Sequence, residues 1–327
     1  MVPRVSIGLP VYNGEKYLPV SLESLIVQEC DDFELIISDN ASTDRTEEIC
    51  RSYAARDARV RYYRNGCNVG AAPNYRRVLE LARGEYFKWV AHDDYYYPAL
   101  LRRCLGTFEA STAAVVLVYG LCELIDEHGN VLGLASDRVE LRDSRPYRRF
   151  AHVVRQVSHA YPLFGVVRTE RLRRTRLTGI APDWDACLLA ELSLYGEFRE
   201  IPEVLSQQRC HSGNAVALAS GEEGSVAWDP SRATRRTRHI LRQWTDAGYT
   251  HSRIWLPAHE ERYWEYAKRV SQAPLPISEK ARCYLSIVFL CYWLRLRKIG
   301  GRWRRRIIAG LRGRAVGERT RWRAQGD

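Results

Sequence analysis

The stretch YFKWVAHDDYYYP, residues 86–98, carries an apolar, strand-like run from Tyr86 to Ala91 into His92, Asp93 and Asp94. Two adjacent carboxylates repel each other unless something lies between them. That partner can be a metal ion, a basic side chain or water. Polar residues also gather after two earlier apolar runs, as PVYN following residues 5–10 and SDNASTD following residues 33–38. Turns favour Asn, Asp and Ser anyway, so one such cluster carries little. Three of them, at the ends of successive parallel strands, converge on one sheet edge and mark a site there.

The elements that must position these residues follow an alternating rhythm. VSIGLP (5–10), FELIIS (33–38), VRYYR (60–64), YFKWVA (86–91) and AVVLVYG (114–120) read as strands. Between them, Leu18, Leu22, Leu25 and Ile26 share one helical face, and Ser42 or Thr43 can cap a second helix. Pro73 and Pro98 suit the first positions of two more helices. Strand–helix alternation of this length predicts an α/β fold with a mainly parallel, doubly wound sheet. After residue 120 the pattern changes to a hairpin around His128-Gly129-Asn130, helices near 144–157 and 184–196, and the strand-like FREIPEVLSQQRCH (198–211). Within 184–196, Asp185, Leu188, Leu189 and Leu192 share a periodicity that predicts an apolar face packed on the sheet. ASGEEGS (219–225) reads as a linker or loop, 230–272 as helical, and APLPIS (273–278) as a break before a last segment near Glu279.

With 327 residues, 46% of them hydrophobic, the chain can bury one large core, with or without an appendage. Its nine cysteines contain no C-x-x-C pair, which argues against a disulfide framework or structural zinc and suits a reducing compartment. The N-terminus runs straight into strand-like sequence, so no secretory leader is expected. The net charge of +11 is uneven: residues 295–327 hold twelve Lys or Arg and two acids, a net of +10, leaving +1 for the rest. Just before them, residues 283–294 are apolar except for Ser286, shorter than the roughly 20 residues a spanning helix needs. Basic residues interleaved with Trp303, Ile307 and Ile308 fit a helix lying in the interface of an anionic membrane across 282–323. The other reading is a buried core helix followed by a disordered tail. RNA would suit the charge, but no nucleic-acid-binding module is recognised, and no nucleic acid is expected as a partner.

The segments VSIGLPVYNGEKYLPVSLESLIVQ, FELIISDNASTDRTEEI, NVGAAPNY, ARGEYFKWVAHDD and EVLSQQRCH, in this order over about residues 4–212, resemble family 2 glycosyltransferases of the GT-A fold. The resemblance implies a GT-A domain over 1–215, with a donor half at about 1–120 and an acceptor half at about 121–215. A helical extension with the apolar segment and basic tail would follow at 216–327. It implies a nucleotide-sugar donor, UDP-linked, held by Pro10, Val11, Tyr12, Asn13, Glu15, Asp39, Asn40, Asn68, Gly70, Arg76, His92 and Asp94. In that family Asp39 meets the uracil ring or a ribose hydroxyl, while Asp44 is expected only to cap a helix. Asn40 stands where an acid is common, and Arg76 where relatives usually carry Asn. A divalent cation, Mg²⁺ or Mn²⁺, would be held by Asp93 with His211, although the first acid of the family's D-x-D motif is Ala91 here. Asp185 falls on the aspartate of the family's ED motif and is the expected general base, with Asp183 the alternative and Trp184 replacing the motif's Glu.

The implied reaction is inverting transfer of a sugar to a hydroxyl on a lipid-linked or growing glycan acceptor, at the cytoplasmic face of the plasma membrane. The changes at Ala91, Arg76 and Trp184 support a rival reading, a catalytically idle nucleotide-binding or scaffolding protein at the membrane. A nucleotidyltransferase would want a Gly-rich, basic loop after strand one, and PVYNGEKY offers only Lys16.

Overall fold

Every residue of the first two strands, Val5–Val11 (β1) and Phe33–Asp39 (β2), is buried. Near-continuous apolar runs of this kind belong to parallel strands covered by helices on both faces. The computed structural model describes residues 2–157, 160–177, 184–211 and 258–292, the last stretch with side chains from 262 onward. After β1 come Leu18–Ile26 (α1), β2, Thr46–Arg56 (α2), Val60–Arg64 (β3), Ala71–Glu80 (α3), Tyr86–Trp89 (β4), Tyr95–Tyr96 (β5) and Leu100–Glu109 (α4). The second half adds Val115–Ile125 (β6), Val131–Leu134 (β7), Pro146–Gln156 (α5), Val166–Arg168 (β8), Thr169–Arg173 (α6), Trp184–Tyr195 (α7) and Glu197–Arg209 (β9). Ala258–Gln272 (α8) and a helix over 277–292 (α9) close the described chain.

The strand order is β3-β2-β1-β4-β8-β6-β9-β5, with β7 paired to β6. β1 pairs in parallel with both β2 and β4, so the chain winds outward in both directions from β1. The order switches there, and the carboxyl ends of β1, β2 and β4 bound the crevice in which ligands of such sheets bind. β8 runs antiparallel between β4 and β6, and β6 pairs in parallel with β9, so the sheet is mixed beyond the parallel set β3-β2-β1-β4. β9 returns the chain to the acidic turn by pairing with β5.

The hairpin around 128–130 forms as expected, from β6 and β7. Helix starts differ from the sequence reading. α2 begins at Thr46, not beside Ser42 or Thr43, because residues 42–45 make a turn in which Asp44 Oδ1 accepts the Thr46 N–H at 3.0 Å. Pro73 is the third residue of α3, and Pro98 precedes α4 by two residues. The expected one-sided apolar face of α7 is also corrected: Ala186 through Leu194 are all buried. α5 and α8 pack on the helix from outside the sheet, and Phe150, Leu188, Tyr266, Val270, Cys283 and Ile287 share one core with Phe87 and Trp89. No described helix is long and apolar enough to cross a membrane.

Candidate active site

Two loops are laced together at the β1 and β2 ends. The Asn13 N–H donates to Ser42 Oγ at 2.9 Å and the Gly14 N–H to Thr46 Oγ1 at 2.8 Å, while Asn13 Oδ1 accepts the Thr43 N–H at 2.9 Å. Glu15 Oε2 accepts the Arg45 N–H at 3.0 Å. Asn13 and Glu15 thus fasten one loop to the other and do not line the cleft. Asp39 is fully buried, and its two oxygens accept from the Ser42 N–H at 2.8 Å and the Tyr62 hydroxyl at 2.7 Å. Burial, and then the bond to Asp39, hold the Tyr62 hydroxyl well above its ordinary pKa. Asp39 therefore stands behind the cleft wall and fixes the turn at Ala41, whose φ is +61°.

The cleft has a volume of about 200 Å³ and is bounded by Pro10, Val11, Tyr12, Asn40, Asn68, Gly70, Ala71, Asn74, Tyr75 and His92. Seven of these were expected from sequence; Ala71, Asn74 and Tyr75 were not, although they lie in or beside the NVGAAPNY segment. Asn40 organises the wall by donating to Asn68 Oδ1 at 2.8 Å and to the Gly70 carbonyl at 3.1 Å, and by accepting from Asn65 and the Val69 N–H at 2.9 Å. Asn74 in turn donates to the Ser38 carbonyl at 2.9 Å. The wall is thus built of neutral amides, whose dipoles hydrogen-bond without net charge. The amino end of α3 opens at Ala71, where the helix dipole favours an anion, while the preceding Gly70 N–H donates to Asn68 Oδ1 at 2.9 Å. Arg76 is exposed on α3, outside the cleft lining. A Cβ at Gly14 would meet the His92 ring at 2.7 Å, so glycine lets the imidazole reach the cleft.

The acidic turn resolves its own repulsion. Ser21 Oγ donates to the Ala91 carbonyl at 3.0 Å and the Ala91 N–H donates to the Tyr96 hydroxyl at 2.8 Å, which pins the backbone before His92. Asp93 Oδ2 lies 2.9 Å from His211 Nε2. Burial would raise the Asp93 pKa, but the His211 hydrogen bond and the charges of His92 and His211 outweigh it and hold the group below its usual range. Asp94 points into the interior, where its Oδ1 accepts the Arg209 N–H at 3.1 Å. Burial first, and the Asp93 charge second, push its pKa well up. One carboxylate is thus kept ionised and its neighbour pushed toward neutrality.

Arg209, unanticipated from sequence, is the staple of this region. Its Nε donates to the Asp93 carbonyl at 3.1 Å, its Nη1 to the Asp126 carbonyl at 3.2 Å, and its guanidinium stacks 4.8 Å from the Tyr17 ring centre. Tyr17 also packs 4.9 Å from the His211 ring. The one sequence signal for Arg209 is its place two residues before His211 on an alternating strand.

Asp185 occupies the first turn of α7, with Oδ1 accepting the Ala186 N–H at 2.7 Å. Trp184 packs against Tyr75 at 5.4 Å and Trp89 at 6.3 Å, joining the start of α7 to the cleft wall. The Tyr75 hydroxyl is raised above its ordinary pKa by burial, then by the charges of Asp93, Asp94 and Asp185. Asp183 lies outside the described residues.

Among the described residues no group of three or more His, Cys, Asp or Glu side chains is arranged to hold a metal. Asp93 and His211 offer two ligands, one oxygen and one nitrogen. Such a partial set fits a divalent cation whose remaining positions are filled by phosphate oxygens and water.

The sequence profile described as Glycosyl transferase family 2 matches residues 6–170. A Rickettsia typhi protein described as an uncharacterized glycosyltransferase is 35% identical over 130 residues, 40% of this chain and 40% of that one. Chondroitin synthase of Escherichia coli is 28% identical over 214 residues, 65% of this chain and 30% of that enzyme. The chain thus spans well under two thirds of either relative. Among solved structures, residues 1–349 of S. aureus TarS match with a TM-score of 0.57 at 15% identity, over 87% of this chain and 70% of that one. Its complex with UDP matches with a TM-score of 0.52 at 15% identity, over 87% of this chain and 89% of that one. At that identity the likeness is one of fold.

Proposed function

This chain belongs to glycosyl transferase family 2, and from that premise we propose that it moves a sugar from a UDP-linked donor to a hydroxyl acceptor with inversion at the anomeric carbon. The carrying observation is geometric: Asp93, paired with His211, directly follows His92 of the cleft lining, and Trp184, beside Asp185, packs on Tyr75 of the same lining. The UDP complex of TarS supports the choice of nucleotide. Asp93 and His211 would hold a divalent cation, which when bound supplies positive charge to the departing diphosphate. The wall formed by Tyr12, Asn40, Asn68 and Tyr75 receives the nucleoside, and the amino end of α3 faces its phosphates. Asp185 takes the proton from the acceptor hydroxyl as the oxygen attacks the face opposite the leaving group, so one displacement inverts the centre. The remaining rate enhancement comes from positioning. A lipid-linked or surface-glycan acceptor, met at the cytoplasmic face of a membrane, completes the reading.

Asp185→Asn is expected to lower transfer by about 10²- to 10⁴-fold while leaving UDP affinity unchanged. Asp93→Asn is expected to abolish the stimulation of UDP binding by Mn²⁺. Product mass spectrometry on a donor panel reads the first, and thermal shift with and without Mn²⁺ the second. Normal transfer by Asp185→Asn removes the base assignment, and nucleotide binding with no turnover on any acceptor favours the scaffold.

A further inference from the structure

Helix α9 is unusual for a surface helix. Its buried stripe is narrow, consisting of Cys283 at 0%, Ile287 at 6% and Leu290 at 7% exposure. On the opposite side, Leu285, Val288, Phe289 and Tyr292 follow helical spacing and are 67%, 63%, 59% and 62% exposed. Ile277 extends this stripe by two turns, and Trp264 of α8 is 56% exposed. The Tyr284 hydroxyl donates to the Ala267 carbonyl of α8 at 3.4 Å, tying the two helices along that edge. An amphipathic surface helix normally turns charge outward; here apolar groups face outward on both sides of Arg282.

The other edge of the stripe is basic. A groove of about 390 Å³ between α5 and α9 is lined by Tyr147, Arg148, His152, Arg155 and Ser286. Arg282 of α9 lies over one of its lining residues, with its guanidinium 5.1 Å from the Tyr147 ring centre. The local acids are already matched: Asp143 lies 3.3 Å from Arg148 and 3.2 Å from Arg145, and Glu279 lies 3.1 Å from Arg282. The sequence continues from Tyr292 into Arg295, Arg297 and Lys298. An apolar band flanked by cations, on a helix whose described residues are not long and apolar enough to span, suits a surface that is oily within and negatively charged at its face.

We infer that the outward stripe of α9 and the basic groove beside α5 form a docking surface for an anionic lipid bilayer. The helix lies flat, with Leu285, Phe289 and Tyr292 among the acyl chains and Arg148, Arg155 and Arg282 at the phosphates. α5 and α8 both pack on α7, whose first turn carries Asp185, so docking sets the candidate base at a fixed height over the membrane. The surface stands independently of the chemistry proposed for the cleft.

The test is flotation of the full chain with phosphatidylcholine vesicles, with and without phosphatidylglycerol. Wild type is expected to bind the anionic vesicles at least about a hundredfold more tightly than phosphatidylcholine alone. Leu285→Ser/Phe289→Ser is expected to weaken that binding at least about tenfold, and Arg148→Ser/Arg155→Ser about tenfold. Both changes lie on exposed positions, and UDP binding measured without vesicles confirms that each variant is folded. The inference is overturned if Leu285→Ser/Phe289→Ser floats as wild type does, which would leave the basic tail alone responsible. It is equally overturned if sedimentation velocity shows a vesicle-free wild-type dimer that this variant dissociates, making a second copy the occupant. Loss of glycosyl transfer with vesicle binding intact would count against the chemistry and not against this surface.

Discussion

Lys88 lies in the middle of β4, sealed from solvent, with its Nζ donating to the Phe164 carbonyl and resting 5.1 Å from the Tyr96 ring centre. Burial lowers its pKa to about 8 from 10.5. Between those two values the unfolded chain holds a proton that the folded protein has released, so this residue's contribution to stability improves as pH rises through the window. Below about 8 the full penalty of a buried cation applies. Relative to Lys88→Met, the wild type is therefore expected to gain roughly 2–3 kcal/mol between about pH 7 and about pH 10. Urea unfolding of both proteins at the two pH values measures it. The variant also leaves the Phe164 carbonyl without its donor, but that offset does not depend on pH, so only the slope is diagnostic. A pH-independent difference would mean that Lys88 reaches water. Residues in this neighbourhood differ in how far sequence reveals them. The adjacency of Asp93 and Asp94 announces an electrostatic problem, but its solution does not lie in adjacent sequence. His211 and Arg209 reach the turn from more than 100 residues away, and only the β5–β9 pairing brings them there.

At the scale of elements, α7 shows what a periodicity reading misses. Residues Asp185 to Leu192 suggest one face on the sheet, yet the helix is covered on its outer side as well. The cover comes from α5 and from α8, which starts at Ala258, far along the chain. Glu191 on α7 and Arg269 on α8 form an ion pair in which both side chains are at most 2% exposed. Glu191 also accepts the Arg176 N–H at 3.1 Å, and Arg269 donates to the Leu177 carbonyl at 3.2 Å. Arg269→Met leaves the Glu191 charge buried without its partner and is expected to cost about 3–5 kcal/mol. Replacing both partners, as Glu191→Leu/Arg269→Met, is expected to recover most of that loss, because no uncompensated charge remains. Chemical denaturation of the two variants checks both statements, and equal stability would show that the pair does not join α8 to α7. The parallel set β3-β2-β1-β4, by contrast, is legible element by element. Its central strands β1 and β2 are buried on both faces and written in nearly continuous apolar runs, whereas β8 has only three residues and β5 two, too short for any pattern.

Across the whole molecule, charge and apolar surface are separated. The 33 residues from Arg295 onward carry +10 of the total +11, while the rest of the chain is almost neutral. The sequence poses membrane contact and core packing as alternatives for 283–294. The structure shows α9 packing one stripe into the core and exposing the other, which composition could not distinguish because both stripes are apolar. The two contributions to vesicle binding should separate with salt. Each Lys or Arg near an anionic leaflet contributes about 1 kcal/mol, so even four engaged residues of the tail and groove would supply roughly a thousandfold in affinity. Raising the ionic strength from about 0.1 M to about 1 M shortens the screening length from about 10 Å to about 3 Å and removes most of that term. Apolar burial by Leu285, Val288 and Phe289 is not screened and should persist. Binding to phosphatidylglycerol vesicles is therefore expected to fall by two to three orders of magnitude (roughly, from the same estimate) and then level off at a residual affinity. The Leu285→Ser/Phe289→Ser variant should lose that residual plateau. The UDP binding proposed for the cleft, whose walls are mostly neutral amides and rings, should change far less over the same range. A plateau unaffected by the two serines would assign the residual binding to some other part of the chain.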